Sequence, residues 1–85
     1  MFLLFVVYAD QNRFETHEFN DYQALSIFLE DLLYLSAQDL IPDKIIKAHF
    51  EDLSSGYRSP IFHSWYEFML FGEGGNYEKT ILSRY

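Results

Sequence analysis

The chain has 85 residues, no cysteine, 20% aromatic residues and a formal net charge of −7. That length supports one core and not two. The missing cysteine excludes a disulfide framework, thiol catalysis and thiolate metal sites and fits a reducing cytoplasm, and the aromatic content excludes a disordered chain.

Phe2–Tyr8 is a continuous β-prone run, too short for a membrane span and lacking the basic flank of a signal peptide. It predicts a central strand. Residues 9–13 have turn composition, and residues 14–19 are half polar and of the right length to pair back, so a β-hairpin is expected. Asn20 with Gln23 three residues on has the pattern of a capping box and predicts a helix from Asp21 to Ser36.

At 100° per residue this helix places Tyr22, Ala24, Leu25, Phe28, Leu29, Leu32, Leu33 and Leu35 on a sheet-covering side. Gln23, Ile27, Glu30, Asp31 and Tyr34 project away from it. Two apolar side chains therefore stand among acids where water is expected.

Residues 36–43, with Pro42, close the helix. Residues 44–53 fit both periods. As a strand they turn Ile46, Ala48 and Phe50 inward and Lys47, His49 and Glu51 outward; as a helix they share a face through Ile46, His49, Phe50 and Leu53. The strand is preferred, because a domain with one helix needs more sheet to cover. Residues 54–60 read as a loop, in which Ser59 before Pro60 reads as a plain loop serine in preference to a phosphorylation site.

Residues 61–71 are the most aromatic stretch and are expected to form a strand with large side chains on both faces, one of them open to a partner or a second copy. Residues 72–76 read as a turn and residues 77–85 as a closing strand around Ile81. The expected fold is therefore α+β: a single two-layer domain over 1–85, with an antiparallel sheet of four or five strands and one main helix packed on it.

Catalytic signatures are missing. His17, His49 and His63 have no i, i+4 spacing, and the groupings of His49 with Glu51 and Asp52, or of His17 with Glu15 and Glu18, read as solvated faces. Residues 74–80 superficially resemble a phosphate-binding loop, but Glu78 occupies the position where glycine must precede the lysine. No serine sits in a nucleophile elbow and no carboxylate pair is selected by spacing. Neither enzyme activity nor a metal or cofactor is expected.

The charge is one-sided, with eight carboxylates against Arg13 alone in residues 1–43 and a balance of five acids and five bases in residues 44–85. Such a distribution repels nucleic acid and anionic lipid and attracts basic surfaces. The expected function is a non-enzymatic cytoplasmic binding module. Its partner would be a basic protein that handles nucleic acid, inhibited as nuclease immunity proteins and phage-encoded antirestriction or anti-CRISPR proteins inhibit theirs, by functional analogy alone. Contact is expected through Gln23, Ile27, Glu30, Asp31 and Tyr34, with Trp65, Tyr66 and Glu67 as a second patch. The alternative is an assembly subunit, a homodimer joined through the aromatic 61–71 strand. A small metal- or acid/base-dependent enzyme ranks last.

Overall fold

The computed structural model describes residues 1–10 and 13–73. Its elements follow in the order β1 (Phe2–Tyr8), β2 (Phe14–Phe19), α1 (Tyr22–Ala37), β3 (Ile45–Asp52), β4 (Tyr57–Arg58) and α2 (Trp65–Glu73). The strands pair antiparallel in the order β2-β1-β3-β4. This is the expected small two-layer α+β fold, with a second helix beside α1.

Strand period decides which side of β1 meets the helices. Phe2, Leu4, Val6 and Tyr8 are buried in one cluster with Leu25, Leu29 and Leu33 of α1, Phe50 of β3 and Phe68 of α2. Leu3, Phe5 and Val7 point the other way. The hairpin is fastened at its turn by Arg13, which lies 3.9 Å over the Tyr8 ring and reaches Asp43 at 3.2 Å and Glu15 at 2.5 Å. The same Asp43 carboxylate accepts the Asp10 backbone N–H at 2.8 Å.

Helix α1 starts one residue later than the sequence pattern implies. Asp21, in an extended conformation, is the N-cap and accepts the Ala24 N–H at 2.8 Å, so the Asn20–Gln23 capping box does not form. A carboxylate there satisfies a backbone donor and also meets the positive end of the helix dipole. The covered side is narrower than expected: Leu25, Leu29 and Leu33 are buried, Tyr22, Phe28, Leu32 and Leu35 half-buried, and Ala24 exposed.

At its C-terminal end Leu40 N–H bonds Leu35 C=O at 2.9 Å and Asp39 N–H bonds Ser36 C=O at 3.2 Å, the two bonds of a Schellman ending. Asp39 takes the left-handed position, with φ 58. Buried Ser36 then accepts the Ile45 N–H at 3.0 Å, which ties the end of α1 to the start of β3.

Residues 45–52 resolve the ambiguous stretch as a strand. Ala48, Phe50 and Asp52 turn inward, but Ile45 replaces Ile46 as the inner residue at the start. The pairing with β1 shifts register at Val7/Tyr8, and the irregularity leaves Ile46 exposed. Beyond it, Asp52 accepts the Ser54 N–H at 3.0 Å and the Ser55 hydroxyl at 2.8 Å, and Gly56 supplies a positive φ of 77. That turn lets β4 form inside what reads as a loop. Ser59 is buried, accepting the Phe50 N–H at 2.9 Å and donating to Pro60 C=O at 2.8 Å, so its hydroxyl serves the fold.

The main correction concerns residues 61–71, which do not form a strand. Only Phe62 pairs, in an isolated bridge to Ala48, and α2 begins at Trp65. Ser64 Oγ accepts the Glu67 N–H at 3.1 Å while Glu67 Oε2 accepts the His63 N–H at 3.2 Å. This near-reciprocal capping ends the extended chain and starts the helix. Helical spacing then carries Phe68 and Phe71 to Phe62, with both ring centroids 5.2 Å from its own. Phe71 also meets Phe50 edge-on. An aromatic strand open to a second copy is therefore absent from this region. Gly72 and Glu73, read as the start of a turn, are instead the last residues of α2; the rest of that turn, 74–76, and the closing strand at 77–85 lie outside the described residues.

Candidate functional site

The expected contact residues from the two halves of the chain come together on the helical layer. Gln23, Ile27, Glu30 and Tyr34 repeat at i, i+4, i+7 and i+11, which aligns them within about 60° on α1. Asp31 stands beside them. Ile27 is 56% exposed and Tyr34 46%, and Gln23 and Asp31 are exposed. Glu30 is half-buried. The stripe lies on the shoulder of α1 that faces α2, because the Tyr34 ring meets the Trp65 indole edge-on at 5.7 Å.

A strand at 61–71 would have held Trp65 on the sheet, away from this stripe. The helix instead places it against Tyr34. Tyr66 next to it is 65% exposed, and the Trp65 Nε1–H is buried without a hydrogen-bond acceptor among the described residues. A notch of about 200 Å³ opens beside the indole, lined by apolar Leu33, Ala37 and Ile45 and by polar Ser36, Lys44, His63 and Ser64. Of the expected site residues, Glu67 has another duty. Its carboxylate holds the His63 N–H and lies 3.5 Å from the His63 ring nitrogen, so it positions the start of α2.

Ion pairing sharpens the electrostatics. Arg13 takes Glu15 and Asp43, Lys44 takes Asp39, and Arg58 takes Glu51. Among the described residues no base pairs with Glu30 or Asp31. The acids that remain uncompensated thus include the two flanked by Ile27 and Tyr34. Steering charge and rings able to be desolvated occupy one surface.

The residue groupings weighed for metal binding are divided by strand alternation. Glu15 and His17 lie on the helix side of β2 while Glu18 lies on the opposite side; His49 and Glu51 face outward on β3 while Asp52 is buried. No group of three or more metal-ligating side chains occurs among the described residues. A second hollow of about 300 Å³ between Met1, Phe2, Asn20, Asp21, Tyr22, Asp52 and Ser54 presents two carboxylates. Both already accept backbone N–H groups.

Sequence reasoning missed Phe14 and Ile46, 57% and 43% exposed, and the half-buried Leu3, Phe5 and Val7 on the sheet face away from the helices. The unbroken apolar run of β1 was the available signal, since a strand with one solvated face should alternate. Among the described residues no helix is long and apolar enough to cross a membrane. Compared with protein-family models, curated proteins and solved structures, the chain matches none.

Proposed function

We propose that this chain is a non-enzymatic acidic binding module whose α1–α2 face engages a basic protein, of the kind that handles nucleic acid. The observation that carries the reading is that Ile27 and Tyr34 stand open to solvent beside Glu30 and Asp31, neither of which pairs with a base among the described residues. Acids speed encounter with a basic surface, and rings such as Tyr34, Trp65 and Tyr66 supply the desolvated contacts that dominate binding energy. Covering a basic cleft would make the module an inhibitor, as nuclease immunity and anti-CRISPR proteins are by analogy. The absence of cysteine fits a reducing cytoplasmic setting.

The test is capture of partners from the native host across ionic strength, with the wild-type chain beside a Glu30→Lys, Asp31→Lys, Tyr34→Ala variant. A basic protein retained by the wild type at low salt, released at high salt and lost with the variant supports the reading. Equal retention by a folded variant removes the helix stripe from the site.

A further inference from the structure

We propose that the sheet face turned away from the helices is a self-association surface, on which a second copy of this chain packs sheet to sheet. Both helices lie on the other side, where Phe2, Leu4, Val6 and Tyr8 enter the core cluster; Leu3, Phe5 and Val7 take no part in it. An antiparallel sheet with one solvated face ordinarily alternates apolar and polar residues, yet β1 is apolar on both sides. Phe14 extends that apolar row on β2, with its ring 6.1 Å from Phe5.

Charge identifies the occupant as a second copy and sets its orientation. Pairing registers place Phe14, Val7 and Lys47 in one row across the sheet, Thr16, Phe5 and His49 in the next accessible row, and Glu18, Leu3 and Glu51 in the third, which β4 extends with Arg58 beside Glu51. Two facing copies can align their strands about either of two in-plane two-fold axes. An axis along the strands brings Glu18 over the Glu51 of the other copy, acid on acid. An axis across the strands brings Lys47 over Glu51 twice, Leu3 over Val7 and Phe5 over Phe5, and sets Phe14 beside Glu18 along the edge strand β2, where the exposed carboxylate can turn to water. The second arrangement opposes Lys47 to Glu51 where the first opposes Glu18 to Glu51, so charge favours that orientation for a face that meets its own copy. Three strands of about seven residues offer a patch at the small end of specific interfaces, which makes the dimer reversible. Its helical layers point outward, so each dimer displays two acidic α1–α2 faces. This arrangement requires neither face to have a partner.

Sedimentation velocity on the full chain, from about 1 μM to about 1 mM, tests it. A monomer–dimer equilibrium is expected. Lys47→Glu should weaken it roughly tenfold or more, Glu51→Lys likewise, and the double charge swap should restore it. Phe14→Ser, at an exposed position, should weaken it while leaving the thermal melt unchanged at concentrations where both chains are monomeric. If Glu51→Lys disturbs folding through its Arg58 contact, Lys47→Glu and Phe14→Ser still decide. A monomer at every concentration overturns the proposal, as does a dimer whose affinity these two variants leave unchanged. Neither variant alters α1 or α2, so loss of dimerisation and loss of partner capture are read separately.

Discussion

The outward side of α1 and the open side of the sheet treat charge in opposite ways. On the sheet, Glu51 lies 3.5 Å from Arg58 and 3.6 Å from His49, and the His49 ring lies flat on Phe5 with centroids 4.8 Å apart. On α1, Glu30 and Asp31 pair with no base among the described residues, and their neighbours Ile27 and Tyr34 reach into solvent. Pairing elsewhere thus concentrates the chain's excess of acid: Glu15, Asp39, Asp43 and Glu51 are answered by bases, whereas Glu30 and Asp31 pair with none among the described residues. Glu18 is an uncompensated acid on the sheet side, and its place there is what makes the orientation of a second copy matter.

The largest expected effect separates the two sides of the sheet by stability. Phe50 is completely buried among Tyr22, Tyr57, Phe62 and Phe71, so Phe50→Ala should cost about 3–5 kcal/mol, most of the stability of so small a domain. Phe5, on the other face of the neighbouring strand, should cost only about 1–2 kcal/mol when truncated. Urea denaturation measures both at low protein concentration. Equal losses would mean that the open face is as fully packed as the core.

Capping of α2 comes next, because it holds Trp65 against Tyr34. Ser64→Ala should cost about 1 kcal/mol and reduce amide-exchange protection in α2, with Glu67→Gln costing less because an amide oxygen still accepts the His63 N–H. A loss of protection spread evenly over the sheet would detach the cap from the position of Trp65. The Glu30→Lys, Asp31→Lys, Tyr34→Ala variant, lying on the solvent side, should shift stability by only about 0.5 kcal/mol.

The smallest effect is alkaline. Burial raises the Tyr8 phenol above its ordinary 10.0, reinforced by the charge of Glu15 and a hydrogen bond to it and by Asp43, and opposed by Arg13. The folded state therefore keeps this proton more tightly than the unfolded chain. Its contribution to stability is complete below pH 10 and is lost as pH rises through the raised folded value. Tyr8→Phe should flatten that decline in denaturation midpoints; burial of Tyr57 adds a parallel, separable contribution. An unchanged slope in the Tyr8 variant would place the alkaline transition elsewhere.

Much of the fold is legible in the chain because period and composition agree there. The β1–β2 hairpin, α1 and β3 form where composition and period place them, and Leu25, Leu29, Leu33, Ala48 and Phe50 take the inner positions read for them. Residues 61–71 misled because large apolar side chains at nearly every position satisfy strand and helix periods alike. The local signal that separates them is Ser64 with Glu67 three residues on, a helix start that outweighs aromatic β-propensity. Ile46 was misassigned for a different reason, since a register shift depends on the partner strand and is invisible in β3 alone. The stripe of Ile27, Glu30, Asp31 and Tyr34 could be read from helical spacing. Its contact with Trp65 could not, because that required knowing that α2 is a helix.

The central claim is that a basic partner covers the α1–α2 face. Hydroxyl-radical footprinting of the chain, alone and bound to a purified basic protein recovered by low-salt capture, measures this at the rings themselves. Protection of Tyr34, Trp65 and Tyr66 is expected, with Phe5 and Phe14 on the sheet face remaining as reactive as in the unbound chain. Protection confined to Phe5 and Phe14, with Tyr34 and Tyr66 unchanged, would contradict it.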